Sequence, residues 1–205
     1  MRSHTTVGVT ASSISGKTEP DFFLPEDHMD MVSSPLAPER ITGLSPVTGS
    51  VPEVFILGSF PSIQSLIAGE YYGNPRNHFW QIAEAVLAID RTLPYATRVA
   101  QLADRGIALW DVIHSCRREG SADLRIRDPV YNDLPGFLSA HPTIRLVVLN
   151  GTAAGRFWHD ATSSSPHSAQ IPVLLLPSTS PANARLSLAE KIRRWEVIRT
   201  PVKKP

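Results

Sequence analysis

Four short apolar runs constrain the fold more than any other feature of this chain: VFILG (residues 54–58), IALWDV (107–112), IRLVVLN (144–150) and PVLLLP (172–177). Each is too short for a helix and lacks the alternation of a half-wet strand, so each reads as a strand buried on both faces. Between them, apolar residues recur every three or four positions. Phe79, Ile82, Ala83, Val86 and Leu87 make one helix face, behind an Asn77 placed to cap it. Residues 95–105 make a second helix that Gly106 would end, and Leu134, Phe137 and Leu138 a third. A stretch after Gly151 and a last one through Leu188, Ile192, Trp195 and Ile198 complete the series. Strands alternating with helices predict an α/β chain: three-layer α/β/α with a central four-stranded, mostly parallel sheet.

Composition narrows the class. With 42% hydrophobic and 19% charged residues, the chain of 205 reads as globular, not collagenous or wholly disordered. No apolar run reaches the roughly 18 residues needed to cross a bilayer, and the opening MRSHTTVGVTASSISG lacks a secretory pattern. The single cysteine, Cys116, excludes an internal disulfide and any all-cysteine metal or iron–sulfur site, which points to a reducing compartment, the cytoplasm. His78, His114, His141, His159 and His167 do not fall at metal-ligand spacing, so no metal and no cofactor is expected. Residues 1–49 carry a net charge of −3 with Phe22 and Phe23 as their two aromatics, against +4 for the remainder. That segment is expected to be a disordered leader, with one domain over residues 50–205. Met29 and Met31 offer later translation starts.

Ligands of open parallel sheets bind beyond the carboxyl ends of the strands. Here those ends are the polar segments 58–62, 111–115, 150–152 and 177–184. The first, second and fourth fall within ILGSFPS (56–62), GIALWDVIHSCRREGSADLRIRD (106–128) and LLLPSTSPANA (174–184), and YYGNPRNHFW (71–80) follows the first. In this order and spacing, over about residues 51–199, the motifs resemble the uracil-DNA glycosylase superfamily, and within it the hypoxanthine-DNA glycosylase branch. The uracil-specific machinery is missing. Phe60 stands where other branches place a water-positioning Asn or Asp, and Leu176 stands before Pro177-Ser178 where they place His or Asn.

The resemblance implies a base-excision repair enzyme acting on DNA that contains a deaminated base, most simply hypoxanthine, and cleaving its N-glycosidic bond. Tyr72 would stack on the flipped base, while plain core filling is the alternative. Asn77 would be catalytic, orienting water or contacting the departing base, as well as capping its helix. Asp111 would read the base or act as general base, or else pair with Arg117, Arg118 or Arg125. Gly58, Ser59 and Phe60 would wall the base pocket and offer donors to the leaving purine. Pro61, Ser62, Ser178, Thr179, Ser180 and Pro181 would hold the DNA backbone, the last four on a loop leading into the final helix. Arg76, Arg185 and the segment REGSADLRIRD (118–128) would be further phosphate contacts, or else solvated surface arginines. Lys17, Lys191, Lys203 and Lys204 lie in the leader or at the far end, so a Schiff-base lyase step is not expected, and the enzyme is read as a monomer. Two rivals stay open: a glycosylase of the same build acting on uracil, mismatched thymine or xanthine, and a DNA-binding module without catalysis.

Overall fold

The four apolar runs pair side by side. In the computed structural model, which describes residues 38–163 and 171–199, the chain runs β1 (Arg40–Thr42), β2 (Val54–Gly58), α1 (Ile63–Ala68), α2 (Phe79–Leu87), α3 (Tyr95–Asp104), β3 (Ile107–Asp111) and β4 (Ile113–Arg117). It continues through β5 (Arg127–Tyr131), α4 (Leu134–Ala140), β6 (Leu146–Asn150), α5 (Thr152–Thr162), β7 (Val173–Leu176) and α6 (Leu188–Trp195), with 3-10 turns at Asp123–Arg125 and Glu196–Arg199. β3, β2, β6 and β7 form, in that order, an all-parallel sheet.

Side-chain alternation along the strands divides the core into two layers. Phe55, Leu57, Ala108, Val147 and Leu149 pack with Phe137 and Leu138 of α4 and Phe157 and Trp158 of α5. Val54, Ile56, Ile107, Leu109 and Val148 pack with Phe79, Ile82 and Val86 of α2, Leu102 of α3 and Trp195 of α6. Burying each such large side chain contributes about 1.5–3 kcal/mol, which is why helices cover both faces. β7 is the exception to the expectation of strands buried on both faces. As the edge strand it leaves Leu175 55% exposed, with Val173 and Leu174 above a third.

A second sheet was not anticipated. β1, β4 and β5 form an antiparallel three-stranded sheet, with Ile41 opposite Cys116 and Ser115 opposite Val130. Val47 exchanges backbone hydrogen bonds with Leu109 at 2.9 and 2.8 Å. Residues 40–47, placed by the sequence reading inside the leader, therefore pair with strands of the domain. The rest of the leader reading, residues 1–37 with Met29 and Met31, lies outside the described residues.

Register positions the chemistry. Gly58 pairs with Asp111 and Asn150 with Leu176, while Leu57 pairs with Leu149. The last residues of all four strands thus stand level along one sheet edge.

Candidate active site at the strand ends

Gly58 and Asp111 face each other across β2 and β3, and the missing side chain of Gly58 makes room for the carboxyl. A Cβ at position 58 would overlap Asp111 Oδ1, with the Tyr72 hydroxyl 3.9 Å away. Asp111 is buried and its Oδ2 has no hydrogen-bond partner. Burial pushes its pKa up to about 8; nearby Asp123 adds to the rise and Arg118 opposes it. At neutral pH the carboxyl is therefore a neutral acid with an O–H to give.

The ion pairs considered for Asp111 do not form. Arg117 pairs with Asp128 at 3.5 Å and Arg125 with Glu119 at 3.9 Å. Arg118 is buried, donates to the Pro61 carbonyl at 2.5 Å and lies 4.9 Å over the Phe60 ring, with Nε and Nη1 unpartnered. Phe60 accordingly sits in the core with Phe55 and Val112 beneath the cleft.

Tyr72 adopts a left-handed backbone, φ 57°, that non-glycine residues rarely take. Its ring stacks on Phe79 with centroids 3.9 Å apart and planes 17° from parallel. Its hydroxyl accepts a hydrogen bond from Asn150 Nδ2 at 3.1 Å. Asn150 also donates to Thr179 Oγ1 at 3.0 Å and accepts from the Thr179 backbone N–H at 2.9 Å. Because a backbone N–H only donates, that last bond fixes which way the Asn150 amide faces. Tyr71 turns to the other side, where its hydroxyl donates toward the carbonyls of Leu44 and Ser45 at 3.3 and 3.2 Å.

The same reasoning orients Asn77. α2 starts at Phe79, and Asn77 Oδ1 accepts the Phe79 N–H at 3.0 Å. The carboxamide oxygen is thus turned to the helix, and the Nδ2 donors remain for the cleft that Asn77 lines. The capping and catalytic assignments use opposite ends of one amide.

The expected catalytic and base-binding residues, and the expected DNA-backbone residues other than Pro181 and the arginines, line this one cleft. Pro181 lies in an adjoining groove with Ser62, Arg76, Asn77, Ser121 and Ser180. Ser62 caps α1, accepting the Ser65 N–H at 3.2 Å. The Ser178–Pro181 loop leads into the last helix, as expected, but only through six further residues, so its hydroxyls do not stand at a helix start. α6 begins ten residues after Ser178, at Leu188, under a capping box of Ser187 and Glu190. The loop instead holds itself, with Ser178 Oγ accepting the Ser180 N–H at 3.2 Å and Asn183 Nδ2 donating to the Ser178 carbonyl at 3.1 Å. Thr179 is fully buried against Asn150, which leaves Ser178 and Ser180 as the partly exposed hydroxyls of the run.

Two cleft residues, Asn150 and Asp123, have no role assigned to them by the sequence reading, and Arg118, expected to pair with Asp111 or with phosphate, takes a different one. Asn150 sat at a flagged strand end but had been given no role. Asp123, on the 3-10 turn after β4, accepts the Ser59 hydroxyl proton at 2.7 Å, and burial raises its pKa. Arg118 supports the Pro61 corner from below. Among the described residues, no three His, Cys, Asp or Glu side chains gather as a metal site, and no helix is long and apolar enough to cross a membrane.

Comparison with known proteins gives the chain's family and fold. Residues 46–199 match the family model of the uracil DNA glycosylase superfamily. The chain is similar to a protein of Methanosarcina acetivorans named hypoxanthine DNA glycosylase, 34% identical over 147 residues, which span 71% of this chain and 89% of that one. It is similar as well to the protein of the same name from Methanosarcina barkeri, 34% identical over 116 residues, 56% of this chain and 73% of the relative. Among solved structures, a solution NMR structure of a candidate uracil DNA glycosylase from Methanosarcina acetivorans superposes with a TM-score of 0.65 at 31% identity, covering 79% of this chain and all of that one. By family match, identity and fold together, this chain belongs to the uracil DNA glycosylase superfamily.

Proposed function

We propose that this chain is a monofunctional DNA glycosylase that flips hypoxanthine out of DNA and hydrolyses its N-glycosidic bond, leaving an abasic site. The observation that carries the reading is the meeting, in one cleft at the strand ends, of the Tyr72 ring, the outward donors of Asn77 and a neutral, unpartnered Asp111. The names of the two Methanosarcina relatives support the same substrate.

The flipped base stacks on Tyr72, whose ring is already backed by Phe79. Stacking returns about 1–3 kcal/mol and offsets much of the cost of leaving the duplex. The C1′–N9 bond then breaks and its electron pair goes to the purine. Asn77 Nδ2 and the Asp111 O–H donate to the charge that develops on the base, which is where pre-organised donors are most effective. Water adds its oxygen to C1′ and gives up a proton, which the departing purine takes. Ser178 and Ser180, with Ser62 and Pro181 along the groove, hold the phosphates on either side. Lys191 is fully buried and does not line the cleft, in keeping with hydrolysis without an imine step. The enzyme works as a monomer, in the cytoplasm, on DNA carrying a deaminated base.

Oligonucleotides that carry a single hypoxanthine, uracil, thymine mismatch or xanthine, incubated with the protein and then with alkali, test this. Strand scission at hypoxanthine well above the others is expected. Scission mainly at another base reassigns the substrate, and binding without scission at any of them overturns the enzymatic reading.

A further inference from the structure

The least expected contact in the cleft joins residues 64 positions apart: the Ser59 hydroxyl donates its proton to Asp123 Oδ1 at 2.7 Å. Both residues line the cleft where the base would lie. A serine hydroxyl owns one proton and two lone pairs. With the proton committed to Asp123, Ser59 Oγ can only accept from a ligand. The neighbouring backbone carbonyls each already receive one N–H, Gly58 that of Val112 at 2.9 Å and Ser59 that of Ile113 at 3.1 Å.

Deamination exchanges donor and acceptor along one edge of a base: the exocyclic amino donor becomes a carbonyl, and the ring nitrogen beside it gains a hydrogen that such an acceptor would read. N1 of adenine is a lone pair, while N1 of hypoxanthine carries a hydrogen. N3 of cytosine and of uracil differ in the same way. We propose that Ser59, its hydroxyl turned by Asp123, is a specificity-determining residue that accepts the ring N–H created by deamination and repels the lone pair of the undamaged parent. This rests on the glycosylase reading above and adds to it the edge of the base being read. Guanine shares the N1–H, so its rejection falls to the contacts around its 2-amino group and not to Ser59. A site built to accept a particular N–H rejects an analogue lacking it far more strongly than a hydrophobic pocket rejects a change in size, because its buried polar group is left unpaired.

The test compares excision of hypoxanthine with excision of unsubstituted purine, whose N1 is a lone pair, placed at the same position in one oligonucleotide. The ratio of the two rates within one preparation is independent of the fraction that has folded. In wild type the ratio is large. In Ser59→Ala and in Asp123→Ala it should fall about tenfold or more, the first by removing the acceptor and the second by freeing its proton to donate. Asp123→Asn keeps an oxygen that can take the Ser59 proton, so it should hold the ratio near the wild-type value. A ratio unchanged in Ser59→Ala or in Asp123→Ala overturns the assignment, as does an equal fall in Asp123→Asn and Asp123→Ala. Absence of hypoxanthine excision by the wild type would instead defeat the hypoxanthine reading on which this rests.

Discussion

Replacing Asn77 by Asp and, separately, by Ala separates the contact its amide makes with α2 from the catalytic role proposed for it. The oxygen end accepts the Phe79 N–H at 3.0 Å and so closes the first turn of α2, whose buried face includes Phe79, Trp80, Ile82, Ala83 and Val86. Ala removes that acceptor, and losing a side-chain cap costs typically about 1 kcal/mol. Asp keeps an acceptor at the same place and adds a negative charge at a helix start, worth about 0.3–1 kcal/mol. Urea denaturation should therefore show the Asp variant at least as stable as wild type and the Ala variant weaker. For turnover the order differs. Both variants lose the Nδ2 donors, and losing one donor aimed at developing charge costs about 2.7–4 kcal/mol, a factor of about 10²–10³ in rate. Asp further sets a carboxylate against an anionic leaving group, so it should be the slower of the two. Single-turnover excision of hypoxanthine from a duplex, read by alkaline cleavage, measures this directly. An Asp variant within threefold of the wild-type rate would refute the donor role, whatever its stability.

Asp111→Asn should change how stability depends on pH. The folded-state pKa of about 8 lies above the unfolded value, so the native state holds the extra proton between about pH 4 and 8. The contribution from Asp111 is fully present below pH 4 and is lost as pH rises through 8, at up to about 1.4 kcal/mol per pH unit. Urea midpoints at pH 5 and pH 9 should converge in Asp111→Asn relative to wild type; parallel pH profiles for the two proteins would sink the prediction. Gly58→Ala would drive a Cβ into the Asp111 carboxyl, and overpacking of this kind costs about 1–3 kcal/mol. In an Asp111→Ala background the same change should cost much less, and strictly additive costs in a double-mutant cycle would show that the two side chains do not compete for the space.

The parallel sheet could be read from sequence because β2, β3 and β6 are continuous apolar runs, and burial on both faces leaves few other uses for such a run. The antiparallel sheet could not. β5 contains Pro129 and an Asp128 at φ 48°, β4 pairs with it through register shifts, and β1 is three residues long. Those strands exist because of their partners and not because of local preference. The strand-end positions of the candidate residues Gly58 and Asp111 were readable for the same reason as the strands themselves. Asp123 was not, because the turn that returns it to Ser59 follows Gly120, held at φ 69°, and leaves no periodic trace. Thr179 was placed correctly in the loop, but its inward orientation depends on Asn150, 29 residues away.

The left-handed backbone at Tyr72 has a consequence for how a nucleotide is received. Holding a bulky residue there stores on the order of 1–3 kcal/mol, and Phe79 on one side with Asn150 at the hydroxyl keeps it in place. That strain is met when the chain folds. On the function proposed above, an incoming nucleobase would find the platform already standing and would spend none of its binding energy on building it.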